Sequence, residues 1–226
     1  MRAVIFDFDG VLVNSEPLHF RAMRDSLVPE GIVIDSTEYL RSYVAYDDRA
    51  AIRLALEQHG QPSDLVRVEI VADRKARMFA ELKGDVPFFP GARELVRGLR
   101  REEVPLGIAS GARCSEIEDL LEAGDLRDSF AAIVGADNVE RTKPHPDPYL
   151  EALRRLQPLA PGLQAADCVA IEDTPPGIAA ARAAGMITVG VAHTYDADVL
   201  ASAHHVLPSL RRLDAAALRA LVSRPA

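Results

Sequence analysis

The chain has 226 residues, 48% of them hydrophobic and 27% charged, with a net charge of −8 at neutral pH. That is the composition of a soluble globular protein, long enough to bury a sizeable core in one or two domains. The acidic balance, spread along the chain, argues against a broad nucleic-acid surface, and no apolar run approaches the ~20 residues that cross a bilayer.

The chain opens on Ala3-Val4-Ile5-Phe6, an apolar run that reads as a buried parallel strand and leaves no room for a signal peptide. It runs straight into Asp7-Phe8-Asp9-Gly10, two carboxylates beside a residue suited to a sharp turn. Like charges this close need a cation or a shared proton, and Mg2+, a hard ion that prefers oxygen, is the expected offset. Helical periodicity follows for about seventy residues. Leu18, Ala22 and Leu27 mark a helix ending before Pro29-Glu30-Gly31, and Ala51, Leu54 and Ala55 mark a second, closed by His59-Gly60. Ser63 is the expected cap of a third, with a face of Val66, Ile70, Ala76 and Phe79, ending near Lys83-Gly84.

From Gly91 the rhythm becomes alternating helix and strand, the mark of a parallel sheet with crossover helices. Helices are expected over 92–101, 114–123, 147–156, 176–184 and 215–221, and strands over 105–109, 131–134, 168–171, 186–191 and 205–207. The fold class is therefore α/β, a doubly wound, mostly parallel sheet with an inserted helical domain. Residues 1–14 and 91–226 form the α/β domain, 15–84 the helical cap and 85–90 a hinge; the two links are Val11–Ser15 and Gly84–Pro90. Cys114 and Cys168 have no metal or redox spacing and read as reduced thiols of a cytoplasmic protein.

Three strands end in polar residues at one edge of the sheet, where open α/β sheets bind ligands. The first ends in Asp7 and Asp9, the second in Ser110-Gly111, and that through Ile171 in Glu172-Asp173-Thr174, while Thr142-Lys143-Pro144 precedes a helix. A carboxylate nucleophile, a second acid, a hydroxyl beside a glycine, a lysine and a distal acid pair are the set expected for phosphoryl transfer through an aspartyl phosphate.

With these motifs in order over nearly the whole chain, the sequence resembles the haloacid dehalogenase-like phosphohydrolase superfamily. Phe6-Asp7-Phe8-Asp9-Gly10-Val11-Leu12 and Asn14-Ser15-Glu16-Pro17-Leu18-His19 are similar to the beta-phosphoglucomutase and phosphoglycolate phosphatase-like branch, which carries a small helical cap. The resemblance implies that Asp7 is the nucleophile and that Asp9 protonates the leaving group and then activates water. It implies that Ser110 and Gly111 hold phosphoryl oxygens with Lys143, which also orients Asp7. Mg2+ would be bound by Asp7, the main-chain carbonyl of Asp9, and Asp173, with Glu172 joining directly or through water. Glu172 read alone could instead cap the helix near Pro175-Pro176.

His19 resembles a family residue that contacts substrate or supports Asp9, and Lys75 falls where the sugar-phosphate mutases carry a substrate lysine. Those mutases also place an arginine just before an acid in the first cap loop. Here the stretch reads Val44-Ala45-Tyr46-Asp47-Asp48-Arg49, a different order that favours a phosphatase over a mutase. The expectation is Mg2+-dependent hydrolysis of a small phosphomonoester, a sugar phosphate or phosphoglycolate-like acid, with no nucleic-acid or membrane partner and a monomer or weak homodimer. The alternatives are a phosphosugar mutase and, more distantly, an inactive phosphate-binding scaffold.

Overall fold

The computed structural model describes residues 1–43, 46, 48–82, 87–211 and 213–223. Two compact units emerge, Met1–Asn14 with Pro87–Ala226, and Ser15–Val86.

Short apolar runs form all six strands of the first unit: β1 (Ala3–Phe6), β2 (Leu106–Ala109), β3 (Ala132–Val134), β4 (Cys168–Glu172), β5 (Ile187–Val191) and β6 (His205–Leu207). They make one parallel sheet in the order β3-β2-β1-β4-β5-β6. A continuous apolar run, rather than an alternating one, is what a strand covered on both faces requires, and β1 to β4 are buried throughout. The α-helices of this unit among the described residues are α5 (Ala92–Arg101), α6 (Cys114–Ala123), α7 (Asp147–Leu156), α8 (Pro175–Ala183) and α9 (Ala215–Val222). Ala3 and Ile5 of β1 and Cys168 and Ala170 of β4 pack in one cluster with Tyr149, Ala152 and Leu156 of α7 and Ala180 and Ala181 of α8. Small residues at these contacts let the helices approach the sheet closely.

The strand order reverses at β1. Its neighbours β2 and β4 lead away in opposite directions, so their connections leave a crevice beyond the carboxyl ends of β1 and β4. The register Phe6↔Ile171 sets Asp7 beside Glu172, and the Asp7 amide still donates to the Ile171 carbonyl at 2.8 Å. The sheet therefore brings together two sequence motifs about 165 residues apart. Where the chain leaves and re-enters this unit it is paired with itself. Val13 bridges to Phe88, Asn14 donates to the Pro87 carbonyl at 2.9 Å and Phe89 to that of Leu12 at 2.9 Å. That pairing starts the unit at Pro87 rather than Gly91; the remainder of the expected link, 84–86, lies outside the described residues.

The second unit holds α1 (Glu16–Leu27), α2 (Ser36–Ser42), α3 (Asp48–Gln58) and α4 (Leu65–Leu82). Its core gathers Met23, Leu27, Ile32, Ile34, Tyr43, Ile52, Leu56, Val68 and Val71. Three details differ from the sequence reading. Helix α2 was not expected; Asp35 caps it, accepting from the Glu38 amide at 2.8 Å. Helix α4 is capped by Asp64, which accepts from the Arg67 amide at 3.1 Å, while Ser63 donates to Glu57 instead. Its buried face is Val68, Val71, Ala72, Lys75 and Phe79, so Val66, Ile70 and Ala76 point to solvent. Val44, Ala45 and Asp47 of the first cap loop lie outside the described residues. No described helix is long and apolar enough to cross a membrane.

Candidate active site

Asp7 follows β1, and the chain then folds back at once. The Leu12 and Val13 amides donate to the Phe8 carbonyl, and the Gly10 amide to that of Val13 at 2.9 Å. Gly10 has a φ of +77°, and a Cβ there would lie 1.9 Å from Asp173 Oδ2, so the position demands glycine on both counts. Asp7 Oδ1 accepts from the Phe8 amide at 2.8 Å and pairs with Lys143 Nζ at 2.8 Å, which fixes the plane of the carboxylate.

Lys143 Nζ also donates to Glu172 Oε1 at 2.5 Å. Glu172, at the end of β4, is wholly buried and fully engaged. Oε1 accepts from Lys143 and from the Tyr149 hydroxyl at 2.9 Å. Oε2 accepts from the Asp173 amide at 3.0 Å and from the Thr174 amide and hydroxyl, each at 3.1 Å. The cap of α8 is Thr174, which accepts from the Gly177 amide at 3.2 Å, so Glu172 supports the turn before the helix without being its cap.

Asp173 is the opposite case. It is 2% exposed; Oδ2 accepts from the Thr194 hydroxyl, and Oδ1 has no hydrogen-bond partner among the described residues. Asp7, Glu172 and Asp173 each offer an oxygen within 4.8 Å of the others. Three buried carboxylates thus face one ammonium. Burial and then the Glu172 charge push the Asp173 carboxyl up to about 7. The same two causes hold Asp7 well above the usual carboxylate range, against the pull of Lys143. Burial opposes the Lys143 charge, but Asp7 and Glu172 outweigh it and raise that pKa above its ordinary value. Both carboxylate shifts mark a site short of positive charge.

Ser110, one residue beyond β2 on the same sheet edge, is buried; its amide donates to the Val134 carbonyl at 2.9 Å and its Oγ accepts from the Ala112 amide at 3.1 Å. Gly111 follows it, exposed. The sheet brings together Asp7, Lys143, Glu172 and Asp173. His19 and Lys75 belong to the helical unit and form their own cluster there. Lys75, 3% exposed, donates to Asp48 and approaches His19 Nδ1 at 3.2 Å, while His19 stacks on Phe79 with ring centroids 4.3 Å apart. Burial and the Lys75 charge lower the His19 pKa to about 4, with Asp48 opposing.

Three residues at the core site escaped the sequence reading: Tyr149, His193 and Thr194. His193 and Thr194 follow β5, and the strand-end rule applied to that strand would have found them. Tyr149 lies on the buried face of α7, where a tyrosine reads as packing.

The model for the haloacid dehalogenase-like hydrolase family matches residues 4–191. This chain belongs to that family. Hexitol phosphatase B of Escherichia coli K12 is 34% identical over 191 residues, covering 84% of this chain and 82% of the relative. The phosphorylated carbohydrates phosphatase of Thermotoga maritima is 32% identical over 197 residues, covering 86% and 87%. Among solved structures, that of CbbY from Rhodobacter sphaeroides in complex with phosphate superposes with a TM-score of 0.82 at 26% identity, covering 97% of this chain and 99% of the other. Family membership makes the chain a hydrolase and agrees with its α/β core and the order of its motifs.

Proposed function

We propose that this protein is a Mg2+-dependent phosphatase that hydrolyses a small phosphomonoester through a phosphorylated Asp7. The observation that carries this reading is the convergence of Asp7, Lys143 and Asp173 beyond β1 and β4, with a buried Asp173 oxygen that no donor among the described residues satisfies. Relatives named for hydrolysing hexitol phosphates and phosphorylated carbohydrates support the substrate class.

The donor set fits a hard divalent cation: all-oxygen ligands, an excess of negative charge, and an orphaned carboxylate oxygen. Asp7, Asp173 and the main-chain carbonyl of Asp9 would hold it, with Glu172 joining through water because its own oxygens are committed. When bound, Mg2+ supplies positive charge that offsets the phosphate dianion against the Asp7 carboxylate.

With the negative charge of the site offset by a cation, Asp7 would be held as a carboxylate and need no base. It attacks phosphorus, and the bond from phosphorus to the leaving oxygen breaks as Asp9 delivers its proton to that oxygen. Asp9, now a carboxylate, takes a proton from a water molecule that attacks phosphorus. The bond to Asp7 then breaks, releasing inorganic phosphate and restoring both acids. Lys143 orients Asp7 and neutralises phosphoryl oxygens, which Ser110 and the Gly111 amide also hold. The helical unit is the proposed cap, with His19 and Lys75 its contacts to the leaving group. Asp48 already neutralises Lys75, which favours a neutral polyol leaving group over an anionic one.

The test is Mg2+-dependent phosphate release across hexitol phosphates, sugar phosphates, phosphoglycolate and nucleotides, with Asp7→Asn as the blank. Release by the wild type and not by the variant is expected, with polyol and sugar monophosphates ahead of phosphoglycolate. No release from any of them, with conversion of beta-glucose 1-phosphate to glucose 6-phosphate on addition of a bisphosphate primer, would replace the phosphatase with a mutase.

A further inference from the structure

The turn after β5 touches the acid cluster at one point and the loop after β1 at another. The Thr194 hydroxyl donates to Asp173 Oδ2. One residue earlier, His193 Nδ1 lies 2.9 Å from the Gly10 carbonyl, in the loop that carries Asp7 and Asp9, and its ring stacks on Phe89 with centroids 4.0 Å apart. A carbonyl can only accept, so His193 Nδ1 donates to it. The turn is thereby fastened to the β1 loop while its next residue holds the acid beyond β4.

Among the described residues, Thr194 is the one side chain that donates to Asp173. Lys143 attracts this carboxylate and Glu172 repels it. Glu172 sits beside it with both oxygens taken, and Gly10 leaves open the space that Oδ2 occupies. Without the hydroxyl, no side-chain donor among the described residues would choose which Asp173 oxygen faces inward, and repulsion from Glu172 would turn the group away. We infer that Thr194 is a positioning residue of the cation site, binding Asp173 Oδ2 so that Oδ1 is presented as a ligand. The inference rests on the reading of Asp7 and Asp173 as cation ligands made above. A partner that orients a ligating carboxylate typically changes metal affinity about 10–100-fold.

The experiment measures Mn2+ binding by electron paramagnetic resonance, a readout independent of turnover, in the wild type and in Thr194→Val, Thr194→Ala and Thr194→Ser. Thermal midpoints in EDTA accompany it. Val keeps the shape of threonine and loses the donor, Ala removes the donor without a new methyl against Asp173, and Ser keeps the donor. The expected result is a rise in Kd of about tenfold or more for Val and Ala and of under about threefold for Ser, with every variant keeping a single cooperative unfolding transition in EDTA. Wild-type affinity in Val and Ala would overturn the role of Thr194 while leaving the cation site standing. Weakening in Ser equal to that in Val would overturn it as well, because shape rather than the hydroxyl would then matter. A wild type that binds no Mn2+ would remove the cation reading and this inference with it.

Discussion

Replacing Asp173 with asparagine should stabilise the cation-free protein at alkaline pH, although it removes a residue of the active site. In that state Asp173 is 2% exposed and crowded by Glu172, and its carboxyl titrates at about 7 instead of near 3.8. A folded-state pKa raised above the unfolded value means that the folded form binds more protons between the two, so stability falls as pH rises through that window and is flat above it. A displacement of about 3 units corresponds to about 4 kcal/mol, of which about 3 kcal/mol develops between pH 5 and pH 8. Asparagine keeps the shape and an oxygen for Thr194 but carries no charge. In EDTA the variant should therefore melt well above the wild type near pH 8, with the gap closing towards pH 5. At ~2–4 °C per kcal/mol for a chain of this size, the change in the gap is about 6–12 °C. Saturating Mg2+ should reverse the order, because binding stabilises only the protein that keeps its ligand. Thermal denaturation at the two pH values, with EDTA or Mg2+, reads all four conditions. A variant no more stable than the wild type at pH 8 in EDTA would refute the picture of Asp173 as a charge held in place for a cation.

Two further outcomes follow from the same hydrogen-bond and charge accounting. Tyr149→Phe deprives the fully buried Glu172 of one donor, 2.9 Å from Oε1, and should cost about 1–3 kcal/mol in chemical denaturation; a loss under about 0.3 kcal/mol would contradict the assignment. In the helical unit, His19 is lowered to about 4, so below its unfolded value near 6.5 the unfolded chain takes the proton first. Stability should drain away as pH falls from about 6.5 towards 4, by up to about 3 kcal/mol, and His19→Gln should flatten that dependence; parallel curves for the two proteins would sink the reasoning.

Most of the sheet was legible because buried parallel strands are short, continuous and apolar, and because glycine, proline and strand-end acids punctuate them. Helices α5, α6 and α7 fell at their expected residues for the same reason, each carrying a clear buried stripe between turn signals. In the helical unit the signal was weaker. Helix α4 carries two competing apolar stripes, and the buried one contains Lys75, whose charge makes it read as the polar face. The exposed Val66 and Ile70 therefore looked like core. Helix α2 buries only Tyr39, too little for a periodic pattern, although Asp35 followed by Glu38 was a start signal in plain view. The acid cluster was legible because chemistry is concentrated at strand ends, as at Asp7, Glu172 and Asp173. The site was not legible at Tyr149 or Thr194, whose single hydroxyls matter only because of where the fold puts their partners.

Glu172 and Asp173 show why a pair of adjacent acids need not share one task. A carboxylate has about four lone-pair sites, and Glu172 meets five donors across its two oxygens, all supplied by Lys143, Tyr149 and the turn into α8. A cation contacting it directly would have to displace one of those donors from a wholly buried carboxylate, leaving a buried group unpaired at about 1–3 kcal/mol. Asp173 meets one side-chain donor and keeps Oδ1 unused, so a cation there displaces nothing and satisfies an atom that is otherwise orphaned. The asymmetry falls at the end of the strand. Glu172 is the last residue of β4 and Asp173 the first beyond it. One is sent among Lys143 and Tyr149 and the next towards Gly10, whose missing side chain leaves room for it. The end of one strand thus separates the two acids, leaving Glu172 to hold Lys143 beside Asp7 and Asp173 to meet the proposed cation.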